Sequence, residues 1–79
     1  MDICAEAKAL IEAGIPGSVA TVTGGGGHFE IHVISEAFAG KRIVQKQRMV
    51  YKAIDDLIKG SNAPMHAVDR MVCEVPSDL

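Results

Sequence analysis

The sequence contains few of the residues that stabilise very small domains or line deep pockets. Its 79 residues include no Trp, one Tyr, two Phe and two Cys. With so few aromatic side chains, the core has to be built mainly from aliphatic residues. A chain of this length supports one hydrophobic core and is too short for a deep cleft between two lobes. We therefore expect a single domain over residues 1–79.

The two cysteines, Cys4 and Cys73, lie far apart and form no C-x-x-C motif. Small secreted domains usually carry several disulfides, so we expect two reduced thiols in a cytoplasmic chain without a signal peptide. The longest stretch without a charged residue, 13–29, contains Pro16 and four consecutive glycines. Such a stretch cannot stay helical across a bilayer, and no membrane association is expected.

Positive charge is concentrated in one segment. The whole chain has a net charge of −2, yet residues 41–52 contain five basic residues and no acidic one. These five, called the basic stripe below, are Lys41, Arg42, Lys46, Arg48 and Lys52. A stripe of this kind is either the solvated face of a helix or a surface that binds phosphate or an acidic protein.

Hydrophobic periodicity predicts the first three elements. Apolar residues at helical spacing indicate a helix that ends near Gly14 and Pro16. They are Ile3, Ala7, Leu10 and Ile11. The β-branched segment 18–23 and the alternating segment 28–33 predict two strands. The glycine run Gly24–Gly27 joins them as the turn of a β-hairpin.

A longer helix is predicted from about Arg42 to Lys59, followed by a break at Gly60–Asn62. Its apolar stripe consists of Val50, Ala53, Ile54, Leu57 and Ile58. The segment Met65–Val75 predicts a third strand, reached by a right-handed crossover and therefore parallel to the second. The resulting order, α-β-β-α-β, predicts an α+β fold with a three-stranded mixed sheet and the helices on one face. This is the topology of the class II KH-like folds.

No pattern indicates catalysis. A strand follows the glycine run, and no Lys-Ser or Lys-Thr follows it, so a phosphate-binding loop is not predicted. His28, Glu30 and His32 share one face of a strand and are potential metal ligands. Positions two apart lie about 6–7 Å from each other, however, and rarely converge on one ion. The alternative is that these residues form the polar outer face of the sheet.

His66 stands just after the predicted break, at the start of the last strand. From its position alone, it is either a metal ligand or a partly exposed histidine with a hydrogen-bonded ring.

Several motifs, taken in order, resemble the BolA family. They are His28-Phe29-Glu30-Ile31, Val33-Ile34-Ser35, Phe38-Ala39-Gly40-Lys41, Gln47-Arg48-Met49-Val50-Tyr51 and Met65-His66-Ala67-Val68. The resemblance extends from residue 1 to about residue 68, and Lys46-Gln47 is similar to the IbaG-like branch. It implies a KH-like fold for the single BolA-like domain and a protein that is not an enzyme.

The resemblance also implies a partner, a monothiol glutaredoxin of the Cys-Gly-Phe-Ser type. In such heterodimers a [2Fe–2S] cluster is held by the glutaredoxin cysteine, by glutathione and by side chains of the BolA protein. The family's C-terminal histidine corresponds to His66, which is thereby implied as an iron ligand. The implied role is iron–sulfur cluster assembly or trafficking, or iron sensing. The chain alone is expected to be a monomer without a tightly bound cofactor.

The sequence departs from the family pattern in several places. Many members carry a Cys or a second His in the hairpin loop, whereas Gly24–Gly27 offers no donor side chain, so His28 is the nearest substitute. Gln47 stands where many members have His. The spacing from His66 to Pro76 is one residue longer than the IbaG-like pattern. We therefore expect a bulge in the last strand and no C-terminal helix.

The alternative function is that of a DNA-binding transcriptional regulator. The basic stripe is its only physical support in the sequence. The G-x-x-G loop of KH domains is absent, and Tyr51 is the single candidate for stacking on a base. We therefore favour the glutaredoxin partner over the regulator.

Overall fold

The computed structural model describes residues 2–59 and 63–78, which form one layer of sheet and one layer of helices. The elements are α1 (Ile3–Gly14), β1 (Val19–Gly25), β2 (His28–Ile34), a 3-10 turn (Glu36–Phe38), α2 (Ile43–Ala53), α3 (Asp55–Ile58), β3 (Ala67–Glu74) and a second 3-10 turn (Pro76–Asp78). The predicted break at Gly60–Asn62 lies outside the described residues. Within the described ranges, no helix is long and apolar enough to cross a membrane.

β2 is the central strand of the sheet, whose order is β1-β2-β3. It pairs with β1 in the antiparallel sense and with β3 in the parallel sense. The mixed three-stranded sheet and the parallel third strand are therefore confirmed. A parallel pair needs a long crossover, and α2 and α3 supply it.

One face of β2 is buried beneath the helices. Phe29, Ile31 and Val33 are all nearly inaccessible to solvent. The helical residues in the same apolar cluster are Ala7, Ile11, Val50, Ile54 and Leu57. Because α1 and α2 contribute to one cluster on this face, both main helices lie on the same side of the sheet, as predicted. The alternate residues of β2 point to the uncovered face.

α1 has the boundaries that its sequence predicts. The Asp2 side chain accepts a hydrogen bond of 3.2 Å from the backbone N–H of Ala5 and caps the first turn. The helix ends at Gly14, where a Cβ atom would lie only 3.2 Å from the Cβ of Ala53. Glycine therefore lets α1 and α2 approach closely at this point.

The long helix predicted over residues 42–59 is divided in two. Ile54 separates α2 from α3, with φ −103° and ψ 16°. The adjacent carboxylates of Asp55 and Asp56 explain the division. Negative charge is unfavourable at the C-terminus of a helix and favourable in the first turn of a new one. The element order is therefore α-β-β-α-α-β.

β3 contains the predicted bulge. Phe29 pairs with Val68, whereas the next residue, Glu30, pairs with Arg70. Asp69 is thus the extra residue in β3.

Replacing Ser35 tests how much its hydrogen bonds stabilise the junction between β2 and the first 3-10 turn. It is fully buried, donates a hydrogen bond of 2.8 Å to the carbonyl oxygen of Pro16 and accepts one of 3.0 Å from the N–H of Ala37. Ser35→Ala removes both hydrogen bonds, which are partly shielded from solvent. We expect the free energy of unfolding to fall by about 1–3 kcal/mol in urea titrations.

Ser18→Ala is the matched control, because the Ser18 hydroxyl makes only a longer bond of 3.4 Å to the carbonyl oxygen of Ile11. If both variants lose the same stability, the buried hydrogen bonds of Ser35 have no special importance.

Candidate functional site

The glycine-rich loop of the hairpin lies directly against His66. The backbone N–H groups of His66 and Ala67 both donate to the carbonyl oxygen of Gly27, at 2.8 and 2.9 Å. Gly27 has φ +85°, and a Cβ atom there would lie 2.4 Å from Cδ2 of the His66 ring. The ring therefore lies against bare backbone that only glycine provides.

His66 is anchored through its backbone and exposed through its side chain. The preceding residue, Met65, is buried, and its N–H donates a hydrogen bond of 3.0 Å to the carbonyl oxygen of Leu57. Within residues 2–59 and 63–78, neither ring nitrogen of His66 has a hydrogen-bond partner. An imidazole held in this way is available to a metal centre that another protein presents.

His28 lies at the start of β2, one residue after the loop. Its Nδ1 is 3.3 Å from Oδ1 of Asp69, the bulge residue, and both side chains are largely exposed. Because Phe29 faces the core, His28 faces the uncovered side of the sheet. Ligation of a metal through Nδ1 would have to displace Asp69, whereas Nε2 has no partner among the described residues.

The row formed by His28, Glu30 and His32 does not gather around one point. Nε2 of His32 lies 2.5 Å from Oε1 of Glu74, so each histidine pairs separately with a carboxylate of β3. In the part of the chain that the structure describes, no three His, Cys, Asp or Glu side chains are placed to hold a metal ion. This arrangement is that of a polar outer sheet face.

A thiol that sequence spacing did not associate with the hairpin also lies beside the loop. Sγ of Cys4 is 3.8 Å from the carbonyl oxygen of Gly24. Both residues border a shallow cavity of about 440 Å³. Its lining consists of Asp2, Ile3, Cys4, Gly24–Gly27, Phe29 and Pro64. The two contacting residues are twenty positions apart, so only the packing of α1 on the hairpin brings them together.

The basic stripe extends from the turn before α2 to the last turn of that helix, where Lys52 lies. Lys46 is half-buried, and the other four residues are exposed. No carboxylate among the described residues lies within 4 Å of any of the five, whereas Lys8 and Lys59 both pair with acids on their own helices. The stripe therefore presents positive charge that the chain itself does not neutralise.

A groove of about 210 Å³ separates α2 from β3. It is lined by Ile43, Lys46, Gln47, Met71, Val72 and Cys73. Burial raises the pKa of the Cys73 thiol, and the charge of Lys46 acts in the opposite direction. The thiol is consequently protonated at neutral pH and is not an activated nucleophile.

The family is shown by comparison with known sequences. The model of the BolA-like protein family matches residues 11–74. The chain belongs to the BolA-like family. It is 41% identical over 46 residues to Protein BOLA2 of Arabidopsis thaliana, an alignment that covers 57% of this chain and 50% of that protein.

A second curated relative is SufE-like protein 1, chloroplastic/mitochondrial, of the same plant. It is 31% identical over 52 residues, which cover 66% of this chain and 13% of the relative. The chain thus spans half or less of the length of these two proteins. Assignment to the IbaG-like branch stays a prediction.

Solved BolA structures share the fold. A bolA protein homologue from Coxiella burnetii has a TM-score of 0.79 and 26% identity, covering 99% of this chain and 96% of that one. BolA1 from Mus musculus has a TM-score of 0.76 and 26% identity, covering 99% of this chain and 68% of that one. These likenesses confirm the small α+β domain with a mixed three-stranded sheet.

The contact between the loop and His66 is tested by Gly27→Ala. Its Cβ atom would collide with the imidazole, so we expect a larger loss of unfolding free energy than the cost of positive φ alone, and a shifted His66 ring signal in NMR spectra. Gly26→Ala is the matched control. Gly26 has φ +63° with nothing within 4 Å of an added Cβ, so it reports only the backbone cost of about 1–2 kcal/mol. If the two variants lose the same unfolding free energy and the NMR signal of the His66 ring does not shift, the contact between Gly27 and His66 is contradicted.

Proposed function

We propose that this chain is a non-enzymatic partner of a monothiol glutaredoxin and shares a [2Fe–2S] cluster with it. The observation on which this rests is the imidazole of His66. The ring is exposed and has no hydrogen-bond partner among the described residues. The backbone N–H of the same residue is anchored on the carbonyl oxygen of Gly27. Membership of the BolA-like family, whose proteins are generally partner or regulatory proteins, supports a role without catalysis.

The donor set of the chain fits a shared cluster better than one held alone. No three potential ligands converge within the described ranges, so most ligands have to come from elsewhere. A glutaredoxin cysteine and glutathione would supply sulfur, and His66 would replace a thiolate on one iron, as imidazole does in Rieske centres. Gly24 and Gly25 end β1 and Gly26–Gly27 form the two-residue turn, so this end of the hairpin offers no side chain that would cover the ring.

His28 is the second candidate ligand from this chain. Its Nδ1 contacts Asp69, so ligation would use Nε2, with the carboxylate orienting the ring from the other side. The basic stripe has a separate role in the proposal. Its unneutralised charge favours docking of an acidic surface on the glutaredoxin, which orients the cluster toward His66. The resulting complex would serve cluster assembly or trafficking, or iron sensing.

His66→Ala tests the ligand directly. In a mixture with a cluster-loaded monothiol glutaredoxin, we expect the variant to lose the visible absorption and circular dichroism features of imidazole ligation. Its far-ultraviolet spectrum should be unchanged, because an exposed side chain contributes little packing. His66→Cys should restore a bound cluster with a thiolate-type spectrum.

His32→Ala is the matched control, since His32 pairs with Glu74 on the sheet face. An unaltered spectrum of the mixed complex with His66→Ala would eliminate the proposed ligand.

The unpaired basic stripe favours one alternative, the DNA-binding regulator. Phosphate contacts release counterions, so DNA binding through the stripe should weaken steeply with salt. By fluorescence anisotropy, we expect weak binding that does not depend on sequence and disappears near physiological salt. Arg48→Ala should reduce the salt dependence, whereas Lys59→Ala, whose lysine is already paired, should not. Tight, sequence-selective binding at physiological salt would favour the regulator.

A further inference from the structure

The two edges of the sheet differ in how many of their outer backbone groups are hydrogen-bonded by the rest of the chain. At the β1 edge, α1 presents Cys4, Lys8 and Glu12, which are four residues apart and lie on one face of the helix. The N–H of Ala20 donates to Oε2 of Glu12 at 3.0 Å, and Nζ of Lys8 donates to the carbonyl oxygen of Ala20 at 2.9 Å. The thiol of Cys4 donates to the carbonyl oxygen of Gly24. Three outward backbone groups of β1, the N–H and carbonyl of Ala20 and the carbonyl of Gly24, are thus already partnered.

This closure of the β1 edge persists in mildly acidic solution. The hydrogen bonds from Lys8 and from the backbone of Ala20 lower the pKa of the Glu12 carboxyl. A carboxyl with a lowered pKa stays ionised until the pH falls below its usual range, so the interaction is lost only in acid. Covering an edge with a helix and inward-facing charges is a known way to prevent strand pairing.

The β3 edge has no such cover. Within residues 2–59 and 63–78, the hydrogen bonds to its backbone outside the β2 ladder are at its two ends. Ala67 donates to Gly27, and Ser35 donates to Glu74. Between those ends, the outer N–H and carbonyl groups of β3 have no partner in the part of the chain that the structure describes. An unpaired edge of this kind is a template for another extended chain.

The surroundings of the β3 edge are suited to one class of partner. The groove between α2 and β3 is bordered by Ile43, which is 70% exposed, and by Met71 and Cys73. Lys46 lines the same groove, and Lys41 precedes α2 without an acidic partner among the described residues. An apolar groove with a cationic rim beside a free strand edge complements an acidic, extended polypeptide that carries one bulky apolar side chain.

We propose that β3 receives an acidic, extended segment of a partner protein by strand addition. Main-chain hydrogen bonds to the free edge would provide affinity. One apolar side chain would occupy the groove beside Ile43, and carboxylates would face Lys41 and Lys46. The phosphates of a nucleic acid strand would use the positive charge, but they only accept hydrogen bonds and would leave the carbonyl groups of the β3 edge unpaired. The inference does not depend on His66 or on a cluster.

The probe is a synthetic peptide of about eight residues, the length of a typical strand, with alternating Glu and Thr and one central Leu. On titration into the isotopically labelled chain, we expect amide shifts in β3 and at the start of α2, and slower hydrogen exchange in β3. Methylating the peptide amides that face β3 should abolish binding. Methylating the alternate amides should not, because those point away from the edge.

Two exposed aliphatic residues provide a matched pair of variants. Ile43→Ser should weaken peptide binding about tenfold or more, the loss expected for an anchor residue. Val19→Ser removes a similarly exposed side chain, 59% accessible, from the closed β1 edge and should have no effect. His66→Ala should also bind the peptide normally, which separates this inference from the proposed cluster ligand.

Several results would overturn the inference. They are amide shifts centred on β1, binding that is indifferent to the position of amide methylation, or full affinity in Ile43→Ser. A single-stranded oligonucleotide that shifts the same amides and binds more tightly than the peptide would assign the groove to nucleic acid instead.

Discussion

Burial of one face of β2 is the constraint on which the rest of the molecule depends. Phe29, Ile31 and Val33 can leave water only beneath α1 and α2, which places both helices on the same side of the sheet. β2 then has a neighbour on each side, antiparallel β1 and parallel β3. Its remaining side chains face solvent, where His28 and His32 pair with carboxylates of β3. Polar pairing on that face follows from apolar burial on the other.

The candidate site arises where this arrangement brings the hairpin loop to the start of β3. The carbonyl oxygen of Gly27 accepts two adjacent backbone N–H groups, so the position of His66 is determined by main-chain contacts and not by its own ring. The backbone of His66 is thereby held in place, while its imidazole ring stays exposed. The loop contributes by lacking side chains, since any Cβ at Gly27 would occupy the space of the ring. A residue without a side chain thereby shapes the site.

The edges of the sheet divide the surface into a closed side and an open side. Lys8 and Glu12 occupy backbone groups of β1 that would otherwise pair with another strand. β3 keeps its outer backbone groups unpaired in the described part of the chain, next to the unneutralised basic stripe and the exposed Ile43. The strand addition proposed above therefore uses the β3 edge. The proposed cluster ligand, His66, lies just before β3, whereas the proposed strand partner would bind the middle of β3.

The sequence by itself determined the features that depend on neighbouring residues. Alternation in β2, the end of α1 at Gly14 and the clustering of the basic stripe are local patterns, and the spacing after His66 predicted the extra residue in β3. The break at Ile54 was not predicted, because helical periodicity continues through it and the two following carboxylates were treated only as polar surface. Only the tertiary structure decided that Gly27 supports His66, that Glu12 closes the β1 edge and that the β3 edge stays open. Those contacts join segments distant in sequence, and no local preference encodes which backbone groups a folded neighbour will leave unpaired.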